Sequence, residues 1–199
     1  KNKRANFKYS LMAGKVIILC APSGSGKTTL AKHLLNQEMF NLRFSTSATT
    51  RKKRENETNG IDYHFITIKE FENKISQGEF IEYEKVYDDV YYGTLKSEIK
   101  ELIKNYNIIF DVDVIGALSL KKYFTEQAIT IFINPPSLEE LRKRLIERGL
   151  NSKDDLEERL NKAKKEIEMK LSFDHSITND KLDFTKSKIS EIVKVFLKN

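Results

Sequence analysis

The residues whose types and spacing most directly suggest chemistry run Ala21-Pro22-Ser23-Gly24-Ser25-Gly26-Lys27-Thr28. They follow an apolar run, Val16 to Ala21, that reads as a buried strand, and they precede a helical pattern. A strand feeding a glycine-bearing loop and then a helix aims consecutive backbone N–H groups at one point, which is how a chain holds phosphate. Glycine there removes the Cβ that would block close approach. The segment matches the Walker A pattern at every defined position except the first, where Ala21 must keep a negative φ if the loop is to form. Ser23, Gly24, Ser25, Gly26 and Thr29 are expected to line a triphosphate, with Lys27 reaching its β- and γ-phosphates and Thr28 offering a hydroxyl to Mg²⁺. An ordinary Gly/Ser turn is the competing reading, and the placing of Gly-Lys-Thr at a strand-to-helix junction argues against it.

A second group lies further on. Phe110-Asp111-Val112-Asp113 ends another apolar run, and carboxylates at the carboxyl edge of a parallel sheet face the crevice where ligands bind. Asp111 reads either as an outer-shell partner of Mg²⁺ or as a strand-end acid capping the next helix. Arg51 and Arg54, three apart and near Tyr63, form either a phosphate clamp of paired guanidinium hydrogen bonds or a solvated basic turn. Phe80-Ile81-Glu82-Tyr83 and Tyr91-Tyr92-Gly93-Thr94 add a carboxylate, hydroxyls and aromatic faces.

These residues need elements to position them. Val16–Ala21, Ile108–Val112 and Ala128–Ile133 are nearly all apolar, as strands covered on both faces are, and each leads into a helical pattern: 27–37, 115–123 and from 138. That alternation predicts an α/β fold, a three-layer core with a parallel sheet. Between the first helix and Ile108 the texture changes to short, Tyr-rich, polar segments with Gly60, Gly78 and Gly93, which predicts an inserted α+β piece. Inside it Thr67 and Glu70 predict a capping box opening a helix to about Gln77, with Ile68, Phe71 and Ile75 on one face. Ser137 and Glu140 repeat the pattern ahead of Leu141 and Leu145. From Leu138 to Leu171 both charge signs are dense around a break at Gly149-Leu150-Asn151, either two solvated helices or a mobile arm. Ser176 to Thr178 predicts a last strand, and Ile189, Ile192, Val193 and Phe196 a closing amphipathic helix.

Composition bounds the function. At 199 residues, 39% hydrophobic and 32% charged, the chain predicts one domain with a real core. Its longest apolar runs are far shorter than the roughly 20 residues a membrane-spanning helix needs. The net charge of +6 comes from basic residues scattered among acids, so a nucleic-acid partner is not expected. The lone Cys20 sits inside an apolar run, which suits a reducing compartment and a cytoplasmic location. Residues 1–14 read as a basic leader, since Lys1, Lys3, Arg4 and Lys8 precede any acid. His33, His64 and His175 have no metal-ligand spacing.

In motif order as well as content, Lys15 to about Phe196 resembles the guanylate kinase family. The matches are A-P-S-G-S-G-K-T, S-x-T-T-R-x-x-R, G-x-D-Y-x-F, F-I-E, Y-Y-G-T, D-V-D-x-x-G-A, N-P-P-S and Ile177-Thr178-Asn179-Asp180. The resemblance implies a P-loop core (15–44, 95–137, 170–199), a GMP-binding insert (45–94) and a helical lid (138–169), with Mg²⁺-dependent phosphoryl transfer from ATP to GMP, and to dGMP, in purine metabolism. By it Arg51, Arg54, Tyr63 and Tyr92 would hold the GMP phosphate. Ser47, Glu82, Thr94 and Asp113 would surround guanine, Asn179 would lie near the ATP base, and Arg144, Arg148 and Arg159 would act with Lys27 and Arg51 in catalysis. The base chemistry agrees: guanine presents two adjacent donors that one carboxylate such as Glu82 can accept together, and an O6 suited to Ser47 or Thr94. Glu82 as a plain surface strand residue is the alternative. Three departures affect loop geometry only: Lys53 in place of a proline, one extra residue between Glu82 and Tyr91, and Leu150-Asn151 at the lid turn. A monomer or homodimer is expected. Rival readings are a catalytically dead binding module, against which Lys27, Thr28, Asp111 and the lid arginines stand, and a kinase for another phosphorylated acceptor.

Overall fold

A computed structural model describes residues 14–87, 89–147 and 153–199. In chain order the elements are β1 (Val16–Cys20), α1 (Lys27–Leu35), β2 (Leu42–Phe44), β3 (Ala48–Thr49), β4 (His64–Phe65), α2 (Ile68–Ser76), β5 (Phe80–Tyr87), β6 (Val90–Leu95), α3 (Lys96–Leu102), β7 (Asn107–Val112), α4 (Val114–Phe124), β8 (Ala128–Asn134), α5 (Leu138–Glu147), α6 (Lys153–Glu168), β9 (His175–Thr178) and α7 (Leu182–Lys198). The three apolar runs become the centre of a five-stranded sheet of order β2-β7-β1-β8-β9, parallel at every pairing. All five residues of β1 are buried. Because side chains alternate across a strand, Ile17 and Leu19 pack to one side with Leu30, Leu34, Ile189 and Val193 of α1 and α7. Val16, Ile18 and Cys20 pack to the other with Val114, Ala117 and Leu120 of α4 and Ile99 of α3. This three-layer arrangement is the P-loop α/β architecture expected from the alternation.

A smaller sheet, order β4-β3-β6-β5, forms from the Tyr-rich stretch. Its core is compact: Phe71 of α2 is fully buried and stacks on Phe80 at 4.3 Å and Tyr91 at 5.1 Å between ring centroids. The predicted capping box closes α2, with Thr67 accepting from Glu70 N–H at 3.2 Å and Glu70 accepting from Thr67 N–H at 2.8 Å. Ile68, expected on one face with Phe71 and Ile75, is 39% exposed, whereas Phe71 is fully buried. Phe71→Ala is expected to cost about 3–5 kcal/mol, the range for an emptied aromatic site, seen as a lower urea midpoint with little change in slope.

Helices α5 and α6 bury Leu141, Leu145, Leu156, Leu160 and Ala163 against one another. At the start of α5 the Ser137 hydroxyl accepts from Glu140 N–H at 3.0 Å, while the Glu140 carboxylate accepts from Arg144 Nε at 3.0 Å. The first helix ends at Leu35, two residues before the expected Gln37, where the Asn36 N–H returns to Lys32 O. Strand β2 and the order of the strands have no sequence signal of comparable strength. None of the described helices is long and apolar enough to cross a membrane.

Candidate active site

The loop after β1 is shaped by its glycines. Gly24 and Gly26 have φ of 93° and 91°, a left-handed conformation that glycine adopts without strain. Ala21 stays outside that region, as the loop requires. Gly26 is the N-cap of α1 and has no side chain to close the helix end, so the first amides of α1 are left for a ligand. A Cβ on Gly26 would stand 2.3 Å from Asn179 Nδ2, and that amide donates to Ser25 O at 2.9 Å. The Ser25 hydroxyl is buried without a hydrogen-bond partner. An orphaned buried hydroxyl, two left-handed glycines and an open helix end together suit a polyanion.

This loop lines a cavity of about 340 Å³ with Thr28, Asp113, Arg159, Lys162 and Glu166. Asp111, level with Leu19 in the β1–β7 register, bridges the two polar ends of the motif. Lys27 Nζ lies 2.7 Å from its Oδ1 and donates to Val112 O at 2.6 Å, while Thr28 Oγ1 donates to its Oδ2 at 3.2 Å. The acid that caps the next helix is Asp113, which accepts from Gly116 N–H at 2.7 Å. For a hard cation the protein side thus offers the hydroxyl of Thr28 and the carboxylate of Asp111. No described group of three or more His, Cys, Asp or Glu side chains could hold a metal by itself. The two oxygens of Thr28 and Asp111 match the one or two protein oxygens that Mg²⁺ takes, its shell being completed by phosphate and water.

Arg159 reaches into the loop, its Nη1 donating to Ser23 Oγ at 3.3 Å. Arg144 donates to Asn179 O at 3.4 Å and shares a pocket of about 260 Å³ with Thr29, Asn179 and Leu182. Arg148 lies outside the described residues. Cys20 is fully buried, and burial pushes its thiol up to about 12, so it packs without reacting.

A second cleft of about 280 Å³ is lined by Ser47, Tyr63, Glu82, Tyr92 and Asp113, all expected from the sequence, and by Phe44, Asp62, Glu84 and Lys162, which were not. Glu82 and Thr94 face each other across β5 and β6, and the buried Thr94 hydroxyl donates to Glu82 Oε1 at 2.6 Å. Thr94 therefore acts on the cleft through Glu82 instead of lining it. Burial raises the proton affinity of Glu82, opposed by that hydrogen bond. Burial also pushes the Tyr63 hydroxyl up, which keeps it a donor.

The expected clamp differs in detail. Arg51 donates from Nε to Tyr92 OH at 3.2 Å, from Nη1 to Lys52 O at 2.8 Å and Glu57 Oε2 at 3.0 Å, and from Nη2 to Glu57 Oε1 at 2.7 Å. Its paired donors face Glu57, and a guanidinium has only five N–H groups. The ring of Tyr63 lies 5.2 Å from Arg51 Cζ. Arg54 is exposed, and its backbone N–H also donates to Glu57, at 2.8 Å. Hydrogen bonds from Arg51 pull Glu57 down to about 2 from an ordinary 4.5, so its contribution to stability is complete above the ordinary value and is lost as pH falls through about 2. Glu57 gives no periodic signal in the sequence. Glu84 does, standing two residues from Glu82 on the same strand face, and so does Lys162, three residues after Arg159 on a helix.

The two cavities share Lys27, Asp113 and Lys162. Ligands filling both would meet over the Lys27 ammonium. A family model for guanylate kinase matches residues 13–195. The chain is 48% identical over 195 residues to the guanylate kinase of Bacteroides thetaiotaomicron, covering 96% of this chain and 95% of that one. It is 48% identical over 184 residues to that of Porphyromonas gingivalis, covering 92% and 98%. The crystal structure of guanylate kinase from Anaplasma phagocytophilum superimposes with a TM-score of 0.75 at 30% identity, covering 94% of this chain and 87% of that one. A phosphate loop, a second cleft opening onto the same lysine, and relatives matched along nearly their whole length agree: the chain belongs to the guanylate kinase family and is a nucleotide kinase.

Proposed function

We propose that this enzyme transfers the γ-phosphoryl group of Mg²⁺-bound ATP to GMP, and to dGMP, giving ADP and the nucleoside diphosphate, in cytoplasmic purine metabolism. The observation that carries the reading is the sharing of Lys27, Asp113 and Lys162 by the donor cavity and the acceptor cleft. In this reading the loop amides, the Ser25 hydroxyl, Thr29 and Lys27 grip the triphosphate, and Asn179 borders the ATP base. Arg51, Arg54, Tyr63 and Tyr92 hold the acceptor phosphate, while Glu82, Ser47 and Asp113 read guanine, with Thr94 fixing Glu82. Thr28 and Asp111 hold Mg²⁺, which when bound neutralises charge on the phosphates.

The acceptor's phosphate oxygen is already a nucleophile, so the work left to the side chains is positioning and charge neutralisation. Arg144, Arg148 and Arg159 would supply positive charge as α5 and α6 cover the site. Exclusion of water by that cover would keep ATP from being hydrolysed.

A coupled assay of ADP release tests this with GMP, dGMP, AMP, UMP and a phosphorylated sugar as acceptors. Turnover with the guanine nucleotides is expected, together with its loss when EDTA removes the divalent cation. Faster turnover with AMP, or full activity in EDTA, would sink the assignment.

A further inference from the structure

The acceptor cleft holds one acid that the reading above leaves unused. Glu84 leaves β5 on the same face as Glu82, and both line the cleft with Asp113 and Lys162. The β5–β6 register sets Glu82 opposite Thr94 and Glu84 opposite Tyr92. Thr94 serves Glu82, at the end of the cleft assigned to the base. The Tyr92 hydroxyl receives Arg51 Nε, at the end assigned to the phosphate. Two residues along a strand span about 6.6 Å, so Glu84 stands one such step from Glu82, level with the backbone of Tyr92, whose hydroxyl reaches on to the phosphate end; one step from the base edge is where a nucleoside monophosphate carries its sugar.

Glu84 is also held in place. It is hydrogen-bonded to Asp113, which is in turn fixed by Gly116 N–H at 2.7 Å. The hydrogen bond with Asp113, then burial, raise Glu84 to about 7. A carboxyl group keeps an acceptor oxygen in either protonation state.

We propose that Glu84 accepts a hydrogen bond from the 2′-hydroxyl of the acceptor's ribose, making the enzyme prefer the ribonucleotide to the 2′-deoxyribonucleotide. This rests on the GMP reading given above. Acidic side chains read a ribose hydroxyl in the same way in dinucleotide sites. Of the other acids lining the cleft, Glu82 accepts from Thr94, Asp111 pairs with Lys27, Asp113 accepts from Gly116 N–H and Asp62 accepts from Thr58 N–H; Glu84 is the one a single strand step from Glu82 on the same face.

The test is kcat/KM for GMP, dGMP and IMP at saturating ATP and Mg²⁺, for the wild-type enzyme, Glu84→Ala and Glu84→Gln. The wild type is expected to favour GMP over dGMP by about tenfold or more, the value of one hydrogen bond to a polar buried acceptor. Glu84→Ala should bring the two within about twofold of each other by losing rate on GMP, while Glu84→Gln, which keeps a carbonyl acceptor, should restore most of the preference. An unaltered GMP-to-dGMP ratio in Glu84→Ala would overturn the proposal. So would an equal loss on both, the mark of a residue that only meets Lys162 of α6, or a changed ratio of GMP to IMP, which would assign Glu84 to the 2-amino group. Retained turnover of dGMP by the variants shows that they fold. A wild-type enzyme inactive on all three acceptors would instead bring down the GMP reading, and this inference with it.

Discussion

Lys27→Met is expected to lower kcat by about 10³-fold or more, the scale on which a single cation at a transferring phosphoryl group acts. The structure shows why the loss should be so large. Lys27 is paired with Asp111 at 2.7 Å, so the ammonium and the carboxylate neutralise each other beside the loop, and Thr28 also donates to that carboxylate. Under the proposed function the ammonium would serve the triphosphate. Methionine has nearly the same length and no charge. It removes the cation and leaves the carboxylate of Asp111 facing the phosphates uncompensated, so attraction is replaced by repulsion. The check is ADP release under single-turnover conditions, with circular dichroism to show that the fold persists. A variant within tenfold of the wild type would show that the ammonium is not where the phosphoryl group passes.

Glu82→Gln should have the second largest effect, and it should appear as lost discrimination. A carboxylate accepts both of guanine's adjacent donors, whereas an amide offers one acceptor and presents donors where acceptors are needed. The Thr94 hydroxyl, now donating to Glu82 Oε1 at 2.6 Å, makes the swap worse, because its buried proton needs an acceptor there as well. Sites built to pair polar groups reject a mismatch by about 10⁴ to 10⁵. The expected result is a fall in kcat/KM for GMP of about 10³-fold or more, with that for AMP moving much less. Measuring both acceptors at several concentrations separates this from a general loss. An unaltered ratio of GMP to AMP would remove Glu82 from base recognition.

How much of this was legible beforehand depends on how local the physics is. The loop from Ala21 to Thr28 could be read because strand, glycines, lysine and helix are adjacent in sequence and each constrains the next. The capping box at Thr67 and Glu70 is equally local. The alternation of buried runs and helical patterns gave the parallel sheet, but not the order in which β2, β7, β1, β8 and β9 lie, since pairing is decided by packing between distant segments. Of the two acids at the end of β7, Asp111 inside the strand and Asp113 just past it, the sequence left Asp111 divided between metal partner and helix cap. The structure puts the cap on Asp113 and pairs Asp111 with Lys27.

The partners of Arg51 were the least legible. A basic turn next to a tyrosine suggests an open fork, and nothing in the spacing signals that Glu57 will curl back to fill it. That contact is set by the path of an irregular loop, which has no period. By contrast Glu84 and Lys162 follow from strand parity and helical spacing once Glu82 and Arg159 are taken as reference points.

Asn179 has a consequence for the life of the chain before it is complete. Its amide, just past β9 at one edge of the sheet, supports the carbonyl of Ser25, 154 residues earlier. A nascent polypeptide that has exposed its first hundred residues on the ribosome already holds every glycine of the loop, yet lacks the strut that props it. The grip of the loop on a ligand therefore depends on the docking of β9 as well as on the loop's own residues.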